Sequence, residues 1–581
     1  MKILFFSPYS GIRVHAYPEA IVAMSLKRKD LEIVYMSCRG VYSLGCYAMA
    51  AHGASHDTEI VQRQKICARC IHYSNFLNKA LGIERSFIED YLDSHDYAQI
   101  ESLVAHESAK NALNLFFDGL PVGRYALHET LLNYKLNDLG QIDQDSESDY
   151  IVKLRGVATT LLAANKFIQT HKPDRIVMYN TNISTNFALM NLAENNGIPV
   201  YGLHAGGNMG KFLQSLYVYR KDDWQALRSL IYEFERGLSE QSCDEVSILD
   251  AIKHVDALVA AKEVFVYSAP KSKNTPDIRS IYNIDGDKKI LLATLSSYDE
   301  IVANQMIGVI PTVKLLFQTQ IEWIRFLIQT VKLRPDLFLI IRIHPREFPN
   351  RRDSRTSAHA IQLRDALNNL PDNVRINWPA DNISLYDVGL QSDVVLNAWS
   401  SAGKELALFG IPVVLYQKDI LLYPSTINFI VETEDEYVRI IDVAIEKGVS
   451  SEVVVGAFRW LAHQYTFKTI NIEDAVNFDA QSRNIITRLL NKFSKVIGSS
   501  FHYREDLRNL RKPFKESEKF YQAIVEQKDI HDIQFRERCV IDPDSERRLI
   551  GETLKNIKGI NYKLLLELGI SETELINKQT N

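Results

Sequence analysis

Short apolar runs alternate with helix-patterned segments along most of the chain. Residues 1–8 form the first apolar run, and residues 31–36 form another. Between them, the spacing of apolar positions over residues 18–27 predicts a helix with Pro18 at its first position, where proline is favoured. A strand, a helix and a second strand in this order predict the opening of a Rossmann-like α/β unit.

The same alternation returns in the middle of the chain. We expect residues 210–260 to be helical, and residues 268–287, rich in Pro, Ser, Lys and Asn, to link two domains. Apolar runs predict strands at 174–179, 198–201, 264–267, 289–294, 337–343, 374–377 and 393–397. Periodic segments predict helices at 184–195, 321–332 and 434–447. The predicted fold class is therefore α/β, with two Rossmann-like domains.

We divide the 581 residues into three units. Residues 1–265 are predicted to form a first Rossmann-like domain, and residues 266–465 a second. Residues 466–581 carry mixed charge and predict a helical carboxyl-terminal extension without a catalytic motif. The composition, with 46% hydrophobic and 24% charged residues, is that of a folded globular protein.

Two of the predicted strands end in polar motifs. The strand at 337–343 runs into a His-Pro pair at 344–345, where proline stops the strand and leaves the histidine at its carboxyl end. The strand at 393–397 runs into a Ser-Ser pair at 400–401. Open parallel sheets hold their ligands at the carboxyl ends of the strands, so we expect both motifs to face one ligand.

The Ser-Ser turn by itself predicts an anion site. Ser400 and Ser401 offer hydroxyl donors beside the unpaired backbone N–H groups that begin a helix. Glu405 falls one helical step beyond Ser401, where its carboxylate would accept hydrogen bonds from a ribose diol. Alternatively, Ser400 only caps the helix and the helix dipole accounts for Glu405. The turn alone favours neither interpretation.

Together the two motifs resemble those of a known family. The His-Pro pair at 344–345 and the Ser-Ser pair at 400–401 are similar to motifs of GT-B-fold bacterial transferases that use cytidine nucleotides, whereas the wider run Ser-Ser-x-Gly-Lys-Glu-x-Ala-x-x-Gly-x-Pro at 400–412 resembles capsular polysaccharide transferases in general, including ones that use other nucleotides. The families that use cytidine nucleotides are sialyltransferases, capsule Kdo-transferases and teichoic-acid glycerophosphate polymerases. The resemblance covers about residues 265–460 and is looser elsewhere. It implies a GT-B arrangement, in which two Rossmann-like domains face a cleft.

The resemblance also implies that His344, Pro345, Ser400 and Ser401 hold a nucleotide-sugar donor, and we expect Lys404 and Glu405 to take part in binding it. It implies a glycosyltransferase of capsule polysaccharide biosynthesis that moves a sugar from a CMP-nonulosonate or CMP-Kdo to a surface glycan or glycoconjugate. No metal is needed at the donor site in this interpretation, which fits the absence of an Asp-x-Asp motif in the predicted cleft loops. The alternatives are a CDP-polyol phosphotransferase, a UDP-sugar transferase and a non-catalytic scaffold subunit of polysaccharide assembly.

A base for the acceptor hydroxyl is expected in the first domain. His204 follows the predicted strand at 198–201, and a histidine at a strand end can take a proton near neutral pH. His15 lies in the loop after the first strand, and Glu19 lies on the first turn of the helix that follows. The alternative is that both histidines are ordinary loop residues and that the helix dipole accounts for Glu19.

Four of the six cysteines cluster in the first domain, at Cys38, Cys46, Cys67 and Cys70. The two-residue gap of the last pair lets both thiolates reach one metal. A structural zinc that pins an irregular loop is the leading hypothesis. An iron–sulfur cluster is the second, because four thiolates also suit such a cluster. Four unconnected thiols are the remaining alternative.

Charge and hydropathy limit the classes of partner. The formal net charge of −5 gives no global electrostatic reason to expect nucleic-acid binding. No window offers the roughly 18 uncharged apolar residues of a transmembrane helix, and the first apolar run lacks the features of a secretory signal. We expect a cytoplasmic protein, and the sequence leaves open a peripheral contact with the inner face of the membrane or with an assembly complex.

Overall fold

Two parallel-rich β-sheets, each covered by helices, form the core of the protein. The computed structural model describes residues 1–27, 29, 31–83, 85–261, 267–350, 354–476, 510, 513–526 and 540–579. Over these residues the predicted fold class is confirmed, since two Rossmann-like α/β domains face a cleft.

The first sheet begins with the first strand of the chain. Its consecutive strands are β1 Lys2–Phe6, β2 Glu32–Ser37, β3 Arg85–Phe87, β4 Arg175–Tyr179, β5 Val200–Ala205 and β6 Ser215–Arg220. They lie in the order β3-β2-β1-β4-β5-β6, with β6 antiparallel to β5 and the other neighbours parallel. The last four residues of β1 are apolar and buried, as expected of a strand covered on both faces.

The second sheet repeats this order and is parallel throughout. Its strands are β7 Lys289–Thr294, β8 Leu337–Arg342, β9 Val374–Asn377, β10 Val394–Asn397, β11 Val413–Leu415 and β12 Phe429–Ile430. They lie in the order β9-β8-β7-β10-β11-β12. This is the doubly wound order 3-2-1-4-5-6, which opens a crevice where the winding reverses, here between β7 and β10.

Helices cover both sheets. Those of the first domain are α1 Arg13–Lys27, α2 Tyr47–Ala51, α3 Ile60–Leu81, α4 Ser94–Ala105, α5 Val122–Tyr134, α6 Gln144–His171, α7 Ser184–Asn195, α8 Asp223–Glu235 and α9 Glu245–Val259. Those of the second are α10 Ile278–Tyr282, α11 Tyr298–Met306, α12 Gln320–Lys332, α13 Ala358–Ala366, α14 Leu385–Gly389, α15 Ala402–Ala407, α16 Glu434–Lys447 and α17 Ser451–Ala462. Their ends follow ordinary capping chemistry, as in α16, where Thr433 accepts from the Glu436 N–H and Gly448 ends the helix with φ 62°.

The chain returns to the first domain after α17. Strand β13, Ile470–Asn471, pairs antiparallel with β6, and helix α18, Ser517–Val525, packs against α1. Part of the predicted carboxyl-terminal extension therefore completes the sheet and the core of the first domain. The last described helices are α19 Pro543–Leu554, α20 Tyr562–Glu567 and α21 Glu572–Gln579. Helix α19 is held by buried Glu546, which accepts hydrogen bonds from Arg459 at 2.5 Å and from the Cys243 N–H at 2.7 Å.

A buried lysine of the first domain fixes the loop after β8. The Lys135 ammonium donates to the backbone carbonyls of Arg346 at 2.6 Å, Phe348 at 3.4 Å and Arg355 at 2.8 Å. Lys135 is 1% exposed. Since these carbonyls replace its hydration shell, the charge can be buried, and the loop is tied to the first domain.

Several local predictions need correction. Helix α1 begins at Arg13, so Pro18 lies inside it instead of at its first position. The segment predicted to be helical over 210–260 contains β6, whose Ser-Leu-Tyr-Val-Tyr-Arg sequence forms an antiparallel strand. The predicted strand at 264–267 and the domain boundary at 265 fall mainly on 262–266, which lie outside the described residues. Among the described helices, none has the length and apolarity needed to cross a bilayer.

Candidate functional site

A cavity of about 160 Å³ lies where the winding of the second sheet reverses. The ends of β7 and β8 contribute Thr294, Arg342 and His344, and the turn after β10 contributes Ser400 and Ser401. The first domain supplies part of the opposite wall. The structure thus brings the two predicted motifs to one cavity between the domains. Each polar residue lies at or just after the carboxyl end of its strand.

His344 is held as a neutral hydrogen-bond donor. The backbone N–H of Arg346 donates to its Nδ1 at 3.3 Å, and the Ser297 hydroxyl lies 3.1 Å from the same atom. Since an N–H group can only donate, Nδ1 accepts and the ring proton of the neutral imidazole is on Nε2. Burial, together with Arg346, Arg342 and Lys135, lowers the pKa of His344 to about 3, so the ring stays neutral at physiological pH.

Arg342 is a cation that the sequence analysis did not single out. Its side chain lines the cavity and is 8% exposed. The guanidinium donates to the Asn377 side chain and, at 3.0 Å, to the Ile383 carbonyl. Burial lowers its pKa to about 10, which leaves it charged at neutral pH. Among the described residues Arg342 makes no ion pair, so its buried positive charge lines the cavity without a carboxylate partner.

The Ser-Ser turn is built from side-chain hydrogen bonds. Ser400 Oγ accepts from the Ala402 N–H at 3.3 Å, and Ser401 Oγ donates to Glu405 Oε1 at 2.8 Å. Tyr386 donates to Glu405 Oε2 at 2.8 Å. Helix α15 has only six residues, so the helix dipole contributes little, and any anion here would depend on nearby side chains and N–H groups.

Gly403 is needed for this turn to pack. A Cβ at this position would lie 2.3 Å from the Tyr423 hydroxyl and 2.7 Å from Asn397 Nδ2. Asn397 in turn donates to the Ser400 carbonyl at 2.9 Å and accepts from Thr294 at 2.6 Å. Any larger residue at position 403 would push the turn away from the sheet.

The opposite wall carries a second neutral histidine, which the sequence analysis missed. His254 on α9 is 2% exposed and lines the cavity. Its Nδ1 accepts from the Met209 N–H at 3.0 Å, so its proton is on Nε2, for which no described group is an acceptor. Burial and the nearby Lys404 hold the pKa of His254 well below its usual range. Lys404 itself donates to the Tyr465 hydroxyl at 3.0 Å.

A second cavity, of about 280 Å³, also lies between the domains. It is lined by His204 and Trp224 of the first domain and by Asn304 and Leu422 of the second. His204 Nδ1 lies 3.0 Å from the Ala205 carbonyl. A carbonyl can only accept, so Nδ1 carries the proton and Nε2 has the lone pair that a base requires.

The other two predicted bases lie deeper in the first domain. His15 stacks on Tyr179 with ring centroids 4.3 Å apart, and burial and the neighbouring His204 lower its pKa to about 3. Glu19 is 2% exposed and accepts hydrogen bonds from Ser7 Oγ at 2.5 Å and the Tyr179 N–H at 2.7 Å. Burial raises its pKa to about 8. These contacts occupy the carboxyl group, so the geometry does not favour Glu19 as a base for a bound acceptor.

The four cysteines surround one small cavity, as their clustering predicts. The predicted zinc site, however, is not supported. Among the described residues, the only three metal-binding side chains within 4.8 Å of one another are Asp93, His95 and Asp96. Asp93 and Asp96 there form the capping box of α4 and pair with Lys166. Four sulfurs bound to one tetrahedral zinc at about 2.3 Å would lie ~3.8 Å apart, and no three of these cysteine sulfurs meet that condition.

No protein-family model and no curated protein sequence matches the chain. Among solved structures, KpsC, a beta-Kdo 2,4-transferase of Thermosulfurimonas dismutans, aligns with 52% of this chain and 82% of that chain at 12% identity and a TM-score of 0.33. A UDP-GlcNAc 2-epimerase from Neisseria meningitidis bound to UDP-GlcNAc aligns with 79% of this chain and 97% of that chain at 12% identity and a TM-score of 0.27. The spinosyn rhamnosyltransferase SpnG aligns with 80% and 96% at 11% identity and a TM-score of 0.24. Similarities this low carry no argument about function, and the fold assignment rests on the strand order.

Proposed function

We propose that this chain is a glycosyltransferase that moves a sugar from a nucleotide-activated donor, preferably a cytidine nucleotide, to a glycan or glycoconjugate acceptor. The observation that carries the proposal is the meeting of His344, Arg342 and the Ser400–Ser401 turn at one cavity between the domains. Such a crevice at the reversal of a doubly wound sheet is where ligands of this fold class bind. Its positive charge suits the phosphate of a nucleotide.

The side chains of this cavity can stabilise a departing nucleotide. Transfer of the sugar breaks the bond between its anomeric carbon and a phosphate oxygen, so negative charge grows on the phosphate. Arg342 offers a charge that is already desolvated, and His344 offers an N–H held in place by its contacts with Arg346 and Ser297. Preorganised donors of this kind stabilise a developing anion without reorganising during the reaction. Glu405 already accepts from Ser401 and Tyr386, one bond on each oxygen, and its remaining lone pairs would accept a hydrogen bond from the ribose.

The second cavity is proposed to bind the acceptor. It shares the space between the domains with the donor cavity, and Gly207 on its wall approaches Tyr465 on the wall of the other. For a reaction that inverts the anomeric centre, Nε2 of His204 would take the proton of the attacking hydroxyl as its oxygen bonds to the sugar. The hydrogen bond from Nδ1 to the Ala205 carbonyl would stabilise the imidazolium that results.

A panel of CMP, CDP, UDP and GDP tests the donor assignment by thermal unfolding. A ligand at about 100 times its dissociation constant stabilises the folded state by ~2.7 kcal/mol, so one nucleotide should raise the melting temperature clearly. We expect a cytidine nucleotide to give the largest increase. A larger increase with UDP would reject the cytidine preference, and no increase with any nucleotide would favour a non-catalytic scaffold.

A further inference from the structure

The strongest unassigned feature is the cavity that the four cysteines share. Cys38 directly follows β2, Cys46 precedes α2, and Cys67 and Cys70 lie on the same face of α3, one turn apart. All four are free thiols. The remaining wall consists of apolar and aromatic groups, including Met49, Ile66 and Tyr42. Four thiols from three separate segments thus line one largely apolar space.

From this geometry we infer that the four cysteines hold an iron–sulfur cluster. Such clusters are bound by four thiolates, each on a corner of a multi-atom unit, so the cysteine sulfurs are spread over more than one metal atom. They need not all approach one another as closely as they do around a single zinc. That matches the four sulfurs here, which line one cavity without any three of them lying mutually within 4.8 Å.

Backbone hydrogen bonds to the sulfurs support the same conclusion. Cys38 Sγ accepts from the Gly40 N–H at 3.2 Å, and Cys70 Sγ accepts from the Gly11 N–H at 3.0 Å. Cys46 receives backbone hydrogen bonds from Ala48 and Met49. N–H donors aimed at sulfur favour the thiolate form and are among the contacts by which a protein adjusts an iron–sulfur cluster. Three of the four sulfurs therefore already accept backbone N–H groups, as cluster ligands do.

The position of the site suggests a structural role for the cluster. It joins the loop after β1, which carries Gly11, to the loop after β2 and to α3. A Cβ at Gly11 would lie 3.1 Å from Cys70 Cβ, so these segments are already in close contact. The ring of Tyr47, the residue after Cys46, lies 6.0 Å from the His15 ring, measured between ring centroids. A cluster here would hold the wall of the first domain beside the histidines of the cleft.

The experiment is anaerobic purification of the full chain, followed by reconstitution with ferrous iron and sulfide. We expect iron and acid-labile sulfide in equal amounts, as two or four of each per chain, with the broad visible absorption of an iron–sulfur cluster. Stoichiometric zinc without iron, or a chain that takes up neither iron nor sulfide, would overturn the proposal. No nucleotide enters this measurement, so its outcome is independent of the proposed transferase activity.

Variants assign the ligands. Cys46→Ala and Cys70→Ala should each lose the visible absorption and most of the iron. Cys243→Ala removes a buried cysteine between α8 and α9 that does not line this cavity, and this variant should keep both. Circular dichroism confirms that each variant is folded. Full iron and sulfide content in Cys70→Ala, or equal loss in Cys243→Ala, would contradict the assignment.

Discussion

The two sheets share one strand order but differ at the crevice which that order creates. In the second domain, the ends of β7 and β10 frame a cavity faced by Arg342 and His344. In the first domain, the ends of β1 and β4 are bridged by Glu19, which accepts from Ser7 and from the backbone of Tyr179. One crevice has donors pointing into open space, and the other is closed by the protein's own hydrogen bonds.

This difference shows that topology provides a place for a ligand but does not decide whether one binds. Side chains decide it. In the first domain, His204 near the end of β5 is the polar group that lines a cavity instead, the second one. The proposed division is therefore a donor site at the reversal point of one sheet and an acceptor site beside the closed reversal point of the other.

The largest expected effect concerns His204. In His204→Gln, kcat should fall by about 10²–10⁴-fold, the usual contribution of a positioned acid or base. The melting-temperature increase caused by the best nucleotide should stay unchanged, because His204 lies in the other cavity. Steady-state kinetics and thermal unfolding measure the two quantities.

His106→Gln is the matched control, since His106 Nδ1 also contacts a backbone carbonyl, that of Ser102, at 3.1 Å, but at the exposed end of α4. It should behave as wild type. Equal kcat in His204→Gln and His106→Gln would remove His204 from the reaction and leave the acceptor cavity without a base.

The next largest effect is expected at the open crevice. In His344→Ala, kcat should fall by about 10²–10³-fold, the range seen when one donor to a developing anion is removed. Nucleotide stabilisation should also decrease, because the Nε2 donor is lost from the donor cavity. His359→Ala removes another buried histidine of the same domain, on α13, and should retain activity. Loss of activity in both variants alike would mean that His344 acts only through folding.

The third prediction concerns the closed crevice of the first domain, where Glu19 should make the free energy of unfolding depend on pH. Burial raises the pKa of Glu19 from 4.5 to about 8, so the folded state binds its proton more tightly than the unfolded state does. This contribution is fully present below about pH 4.5 and is lost as the pH rises through about 8, amounting to several kcal/mol at ~1.4 kcal/mol per pKa unit. Compared with Glu19→Gln, the wild type should therefore lose stability as the pH rises from 5 to 8.

Chemical denaturation at several pH values measures this difference. Glu19→Gln should retain most of its activity, in contrast to His204→Gln. Glu32→Gln changes an exposed carboxylate on β2 and should follow the wild-type pH profile. A stability difference between wild type and Glu19→Gln that does not change with pH would show that Glu19 is ionised in the fold.

Much of the fold was predictable because its signals are local. The strands Lys289–Thr294 and Val374–Asn377 and the helices Ser184–Asn195 and Glu434–Lys447 lie within the predicted bounds. Continuous apolar runs and a 3.6-residue period mark such elements without tertiary information. The convergence of His344 and Ser400 was also predictable, since both follow parallel strands of one sheet.

What the sequence analysis missed depends on contacts distant in the sequence. Arg342 was included in an apolar strand, although a single arginine among leucines and isoleucines is a visible signal for a buried charge that needs a partner. His254 gave no such signal, because only the packing of α9 against the second domain brings it to the cavity. Strand β6 was missed although one partner, β5, directly precedes it in the chain; its other partner, β13, lies about 250 residues downstream.

The smallest effect is expected where the first domain reaches the donor cavity. His254 presents an Nε2 proton without a described acceptor, and a ligand phosphate or ribose oxygen would provide one. His254→Gln places an amide donor near the position of Nε2, whereas His254→Leu removes the donor; both lose the Nδ1 contact with Met209. A neutral hydrogen bond contributes about 0.5–1.5 kcal/mol, so nucleotide affinity in the leucine variant should be ~2–10-fold weaker than in the glutamine variant. Calorimetric titration measures both. Equal affinities would show that His254, and with it the first domain, does not contribute to donor binding.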